Sequence, residues 1–204
     1  MGFVRWHAPM INDLDSTLEV LLRHTAPHLV VNRVAISFAP PDGSFPPASV
    51  TLPAIDLFLY DIRENREFRN NEPMAERGNG GALRLLPPPV RIDCSYLITA
   101  WPSPSDHAVK DEHGMISEVM AALLRYRVLP QPLLQGSLAD QPASPPVAAL
   151  QTGSLQSMGE FWQALGGKPK VALHYTVTVA VQAGLAVEAG APVVDSRIRM
   201  GDAA

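Results

Sequence analysis

The stretch Ala54-Ile55-Asp56-Leu57-Phe58-Leu59-Tyr60-Asp61-Ile62, continued by Arg63-Glu64-Asn65-Arg66-Glu67-Phe68-Arg69-Asn70-Asn71-Glu72, decides the fold. In 54–62 the odd positions supply Ile55, Leu57 and Leu59, and the even ones supply Phe58, Tyr60 and Ile62. Successive side chains of a strand point to opposite faces, so this strand is apolar on both. Such a strand belongs inside a sheet covered from two sides. At Arg63 the pattern breaks, and Arg63, Arg66 and Arg69 interleave with Glu64 and Glu67. Arginine forks, carboxylates and asparagine amides are suited to specific carboxylate and amide partners. A charged segment of this kind docks on another chain as readily as on water.

Working outward, Ile11, Leu14, Leu18, Leu21 and Leu22 fall at helical spacing behind Asn12 and Asp13, which predicts a helix over 12–25. The β-branched run Val30 to Phe38 predicts a strand that stops at the turn Pro40-Pro41-Asp42-Gly43. Beyond the charged segment, Gly78-Asn79-Gly80-Gly81 reads as a flexible loop. Val90 to Trp101 alternates Val90, Ile92, Cys94, Tyr96 and Ile98 against polar residues, as a half-buried strand does. A second helix opens at Ser105 or Asp106, with Ile116, Val119, Met120, Leu123 and Leu124 as its apolar stripe. Leu129 to Pro146 reads as a long proline-rich connection without an apolar period, and is expected to be ordered by a neighbouring subunit. A short helix over 158–165 closes at Gly166-Gly167, and Val171 to Gln182 alternates as a last clear strand. The tail from Gly184 contains a possible short strand, 193–199. The order α-β-β-β-α-loop-α-β predicts an α+β fold: one mixed β-sheet with helices packed on it, in a domain over 1–183 with a C-terminal arm over 184–204.

Composition narrows the function. The 204 residues suit one ordinary domain with an arm. Apolar residues make up 47% and charged residues only 18%, so there is little charge to spread over a surface and self-association is expected. A net charge of −4 argues against tracking a phosphate backbone, so no nucleic-acid partner is expected. Cys94 is the sole cysteine, which rules out an internal disulfide and points to a reducing, cytoplasmic compartment. Residues 1–10 show no signal-peptide pattern and no apolar run reaches about 18 residues, so no insertion into a membrane is expected.

The motif search favours no enzyme. In Gly78-Asn79-Gly80-Gly81, Leu83 stands where a dinucleotide fingerprint needs its third glycine. There is no phosphate-binding lysine loop and no nucleophile elbow, and no cofactor is expected. A metal-dependent hydrolase using His107, Asp111 and His113 is the enzymatic alternative; first-turn residues of a helix explain the same three side chains. Cys94 lies on the apolar face of its strand, the position of an inert thiol.

The sequence resembles the tail terminator, or cap, proteins of phage-tail-like contractile injection systems. The similarity runs through Ile11-Asn12-Asp13-Leu14-Asp15-Ser16-Thr17-Leu18 and Leu57 to Asn70, then Pro87-Pro88-Pro89-Val90-Arg91-Ile92-Asp93. It continues through Tyr96-Leu97-Ile98-Thr99-Ala100-Trp101, Glu112-His113, Phe161-Trp162 and Leu165-Gly166. The resemblance implies a structural subunit, not an enzyme, that forms a sixfold ring on the distal end of the inner tube, stops growth and ties the sheath to the tube. Its partners would be further copies of itself, the tube protein and the sheath protein; a transient assembly factor is the alternative role. Tyr60, Arg63, Glu64, Asn65, Arg66, Arg69 and Asn70 become candidates for the ring or tube interface. Val193, Val194, Arg197, Ile198 and Arg199 become candidates for an arm that meets the sheath.

Overall fold

The computed structural model describes residues 10–77, 83–141, 143–151, 157–185 and 187–188. The chain divides into two compact units, one holding 10–64 and 92–179, the other the described residues of 65–91 and 180–188.

The first unit is built on α1 (Met10–Thr25) and a mixed five-stranded sheet, the architecture expected from the sequence. Leu14, Leu18, Leu21 and Leu22 recur at 3.6-residue spacing and are all fully buried. Thr17 and Thr25 share that buried side because their hydroxyls donate to the carbonyls of Asp13 and Leu21 at 2.7 and 2.6 Å, leaving no polar group unanswered. The sheet order is β1 (Ala35–Ser37), β2 (Ala54–Glu64), β5 (Val90–Trp101), β7 (Ala172–Val181), β6 (Val147–Ala149). β1 runs parallel to β2, while β2 with β5 and β6 with β7 are antiparallel. One sheet face sends Ile55, Leu57, Cys94, Tyr96, Ile98, Tyr175 and Val177 into a core shared with α1 and with α3 (Ala108–Leu123). The Tyr96 hydroxyl donates to Asp15 Oδ1 at 2.7 Å and so ties β5 to α1.

β2 is buried on both faces over 54–57, as a central strand should be, but one of those faces is not apolar, because it carries Asp56. Phe58 and Tyr60 turn away from the leucine core and meet Phe161 of α4 (Met158–Ala164) at ring separations of 6.4 and 6.5 Å. Between Leu59 and Asp61 the register with β5 shifts, leaving Tyr60 as the extra residue of a bulge. Beyond it Ile62 is 50% exposed.

The run Val30 to Phe38 is not one strand: Pro27–Val31 forms a short helix, α2, and only Ala35–Ser37 is extended. Pro27 occupies the first helical turn, where its fixed φ is already helical and its missing N–H costs nothing. Arg33, at φ 52°, then reverses the chain. Val30 and Val31 are β-branched yet 48% and 75% exposed, so their strand preference brings no burial to outweigh the proline.

The connection from Leu129 to Pro146 is ordered by its own chain. Two 3-10 turns, Gln131–Leu133 and Gly136–Leu138, place Leu134 and Leu138 in the core beside Leu129. Asp13 of α1 accepts from the Ser137 amide at 2.9 Å and hydroxyl at 2.6 Å, and Thr17 Oγ1 accepts from the Gln135 amide at 3.0 Å. Gly136 sits at φ 53°, and a Cβ there would collide with the Asp13 carboxylate, so both shape and space demand glycine. Each leucine comes from a different turn, which is why no single period connects them.

The α4 helix closes as predicted, with Gly166 at φ 64° after its last turn, and at its start the Ser157 hydroxyl accepts from the Glu160 amide. The second unit holds a three-stranded sheet that the sequence reading did not contain. Its β4 (Leu83–Leu86) pairs antiparallel with β3 (Met74–Arg77) and with β8 (Val187–Glu188). The predicted glycine loop at 78–81 and the possible strand at 193–199 lie outside the described residues. No helix among the described residues is long and apolar enough to cross a membrane.

Candidate functional site

The seven interface candidates fall on two different structures. Those on β2 belong to the first unit. Tyr60 is half-buried, its hydroxyl 3.2 Å from His174 Nδ1 and its ring edge-on to that imidazole at 5.8 Å. Burial lowers the His174 pKa and favours the neutral ring. Tyr60 therefore serves the packing of β2 against β7 and α4. The Arg63 guanidinium lies 2.8 Å from Asp61 Oδ2 with its own side chain 63% exposed, a surface pair that adds little to stability. Glu64 ends the strand, exposed, opposite Ile92.

The others form a compact turn in the second unit. The Asn65 amide donates to the Arg91 carbonyl at 2.8 Å, while Asn65 Oδ1 accepts from the amides of Glu67 and Phe68, each at 3.0 Å. One side chain thus satisfies two amides, as asparagine does in turns. The Arg69 amide closes on the Arg66 carbonyl at 3.4 Å, and Asn70 Oδ1 accepts from the Glu72 amide at 3.0 Å. Asn65 is half-buried, while Arg66, Glu67, Phe68, Arg69 and Asn70 are all exposed to solvent. Phe68, 54% exposed, is the one aromatic among the exposed large apolar side chains of the described residues. Phe68 is not among the interface candidates that the sequence supplies; its signal there is an aromatic inside an otherwise wholly polar run. Val193, Val194, Arg197, Ile198 and Arg199 lie outside the described residues.

The first unit also carries two grooves of about 500 and 510 Å³. One runs between α2 and α3, past Leu29, Met115, Asp111, Glu118 and Gly114. The other lies over Trp101 and Phe45, which stack at 4.3 Å. There Lys170 Nζ sits 4.6 Å above the Trp101 ring and 2.7 Å from Glu112 Oε2, with both charged side chains mostly buried. The grooves separate the residues of the hydrolase alternative. Asp111 lines the first and His113 the second, while Asp111 Oδ2 accepts from Ser105 Oγ at 3.0 Å and His107 stands at the residue before α3 without a side-chain capping bond. No three His, Cys, Asp or Glu side chains among the described residues are placed to hold a metal ion. Burial pushes the Cys94 thiol up to about 11, the condition of an unreactive cysteine.

One buried carboxylate has no local answer. Asp56, opposite Ser37 on β1 and Thr99 on β5, is fully buried, and neither oxygen has a partner at hydrogen-bonding geometry. Desolvation pushes its pKa up to about 7, against the smaller lowering effect of the Ser37 hydroxyl.

A family model described as the Pvc16 N-terminal domain matches residues 13–196. Among solved structures the chain is similar to one from the PVC sheath/tube terminator in its extended state, part of an extracellular contractile injection system. That match has a TM-score of 0.67 and 28% identity, and covers 95% of this chain and 64% of that one. It is also similar to the cap of the anti-feeding prophage, a tube terminating cap, with a TM-score of 0.57 and 29% identity over 93% of this chain and 61% of that one. The chain therefore spans less than two thirds of either structure's chain. Comparison with curated proteins gives no match.

Proposed function

The chain belongs to the Pvc16 N-terminal domain family, and from that membership we propose that it is a structural cap. In this reading it forms a sixfold ring on the distal end of the inner tube of a contractile injection system, terminates tube and sheath growth, and couples the two. The carrying observation is a likeness in both fold and residue identity, over more than nine tenths of the chain, to two terminators of such systems. A closed ring needs two different complementary patches on every subunit, and an obligate ring subunit needs no active centre. The division of labour follows the sequence reading: residues 1–183 make the body, and residues 184–204 reach the sheath.

The role is tested in assembled particles. Removing the chain should give tubes of uncontrolled length, and restoring it should return a single length. Counting copies at the tube end by mass should give six. Normal length distributions in its absence would refute termination, and a count of two or one would refute the ring.

A further inference from the structure

We propose that the Phe68 turn of one copy docks into the groove between α2 and α3 of the next copy, as the anchor of a heterologous ring contact. The inference rests on the ring reading and names the two patches that the ring requires.

The first observation is Gly114. It lies inside α3, at an exposed position lining the groove, with φ in the ordinary range and nothing within 4 Å of where a Cβ would stand. Glycine within a helix disfavours folding roughly two- to fivefold relative to alanine. Nothing among the described residues requires it, whereas Gly136 and Gly43 each face an atom that a Cβ would strike. A position that costs stability and leaves its space empty is suited to the close approach of another chain.

The second observation is the Phe68 turn itself. Its backbone is held by Asn65 and Asn70, so docking fixes little that is not already fixed. It presents an exposed aromatic between two arginines, the residue types that dominate binding energies at protein interfaces. A phenylalanine buries about 150–250 Å², against about 800 Å² per partner in a stable contact; it is the anchor and not the whole interface.

Charge chooses between the two grooves. The α2–α3 groove is lined by the half-buried Met115 and by Leu29 and Val34, which are almost wholly buried, with Asp111 and Glu118 against the single lysine Lys110. The groove is thus acidic by one charge, and the turn, with Arg66 and Arg69 against Glu67, is basic by one. The Trp101 groove carries Lys168 and Lys170 against Asp42 and Glu112, with Glu112 already paired to Lys170, and gives the arginines no such excess.

The test sets folding against association in the full-length protein. Gly114→Gln should raise the folded fraction in denaturant and yet weaken ring formation at least tenfold by sedimentation, because its side chain fills the groove. Phe68→Ala should weaken association similarly with unfolding unchanged. Arg66→Asp and Asp111→Arg should each weaken it, and the two together should restore it. A chain carrying Phe68→Cys and Gly114→Cys should give, on mild oxidation, a covalent ladder ending at six, which neither single variant gives; buried Cys94 can stay in place. Wild-type rings that survive Gly114→Gln and Phe68→Ala would overturn this contact and leave the ring standing. A wild-type chain that stays monomeric and forms no ladder would overturn the ring as well. Disulfide dimers from Phe68→Cys alone would show a twofold contact, contrary to the proposal.

Discussion

Residues 65–72 and 129–146 are both connections of irregular backbone, and they hold their shape by opposite means. In 129–146 three leucines enter the core, and Asp13 and Thr17 of α1 receive the turn amides. In 65–72 no apolar side chain is buried, and two asparagines satisfy the turn amides locally. The first connection is part of what makes its unit stable. The second keeps a fixed backbone while leaving every other side chain to the surface. Polar backbone can be ordered by burial or by its own side chains, and only the second route leaves the segment available to a partner.

The largest test of that contrast is Leu138→Ala. Truncating a fully buried leucine should cost about 2–5 kcal/mol in urea unfolding. A cost below 1 kcal/mol would place the connection outside the cooperative unit.

Asp56 shows what happens where neither route operates. Because its folded pKa stands at about 7 against an ordinary 3.8, the folded state holds the proton more tightly than the unfolded chain does. Its effect on stability is therefore least damaging below about pH 4, worsens as pH rises toward 7, and is constant above. At each unit's worth of about 1.4 kcal/mol the full cost is up to about 4 kcal/mol. Asp56→Asn should raise stability above pH 7 and flatten the profile between pH 4 and 7; an unchanged profile would show that the carboxylate finds a partner in solution.

Asp13→Ala should cost about 1–3 kcal/mol, because it leaves the Ser137 amide and hydroxyl without their acceptor. Amide exchange should quicken at Gln135 to Leu138 and leave Ser95 to Ala100 unaffected. Asn65→Ala is the smallest in stability, about 0.5–1 kcal/mol, and should quicken exchange at Glu67 and Phe68. In particles it should nevertheless shift the length distribution, because the loosened turn must be ordered on docking. If Asn65→Ala destabilised as much as Asp13→Ala, the contrast between the connections would fail.

The long periodic elements were legible in the sequence: the leucine stripe of α1, the extents of β5 and β7, and the glycines closing α4; the half-buried alternation expected of β5 gives way to unbroken burial from Cys94 to Ala100. Three features were not. Proline at a helix start reversed the reading of α2, because a five-residue element is settled by one residue and not by a period. The leucines at 129, 134 and 138 carried no period because their frame is α1, more than a hundred residues away in the chain. The sheet of β3, β4 and β8 has strands of four, four and two residues, too short for alternation to register. The charged segment was recognised from composition, but which of its residues fold inward depends on hydrogen bonds that composition does not contain.

The docking of residues 134–138 on α1 also sets a timetable for synthesis. The acceptor on Asp13 and its donor on Ser137 are separated by 124 positions. At about 5–20 residues per second, α1 is translated roughly 6–25 s before the turn that covers its carboxylate and part of its leucine face. β2, β5 and α3, which share the leucine core, are made within that interval, and only the part of α1 that residues 134–138 cover waits for its end. The first unit therefore closes only after most of the chain has been made.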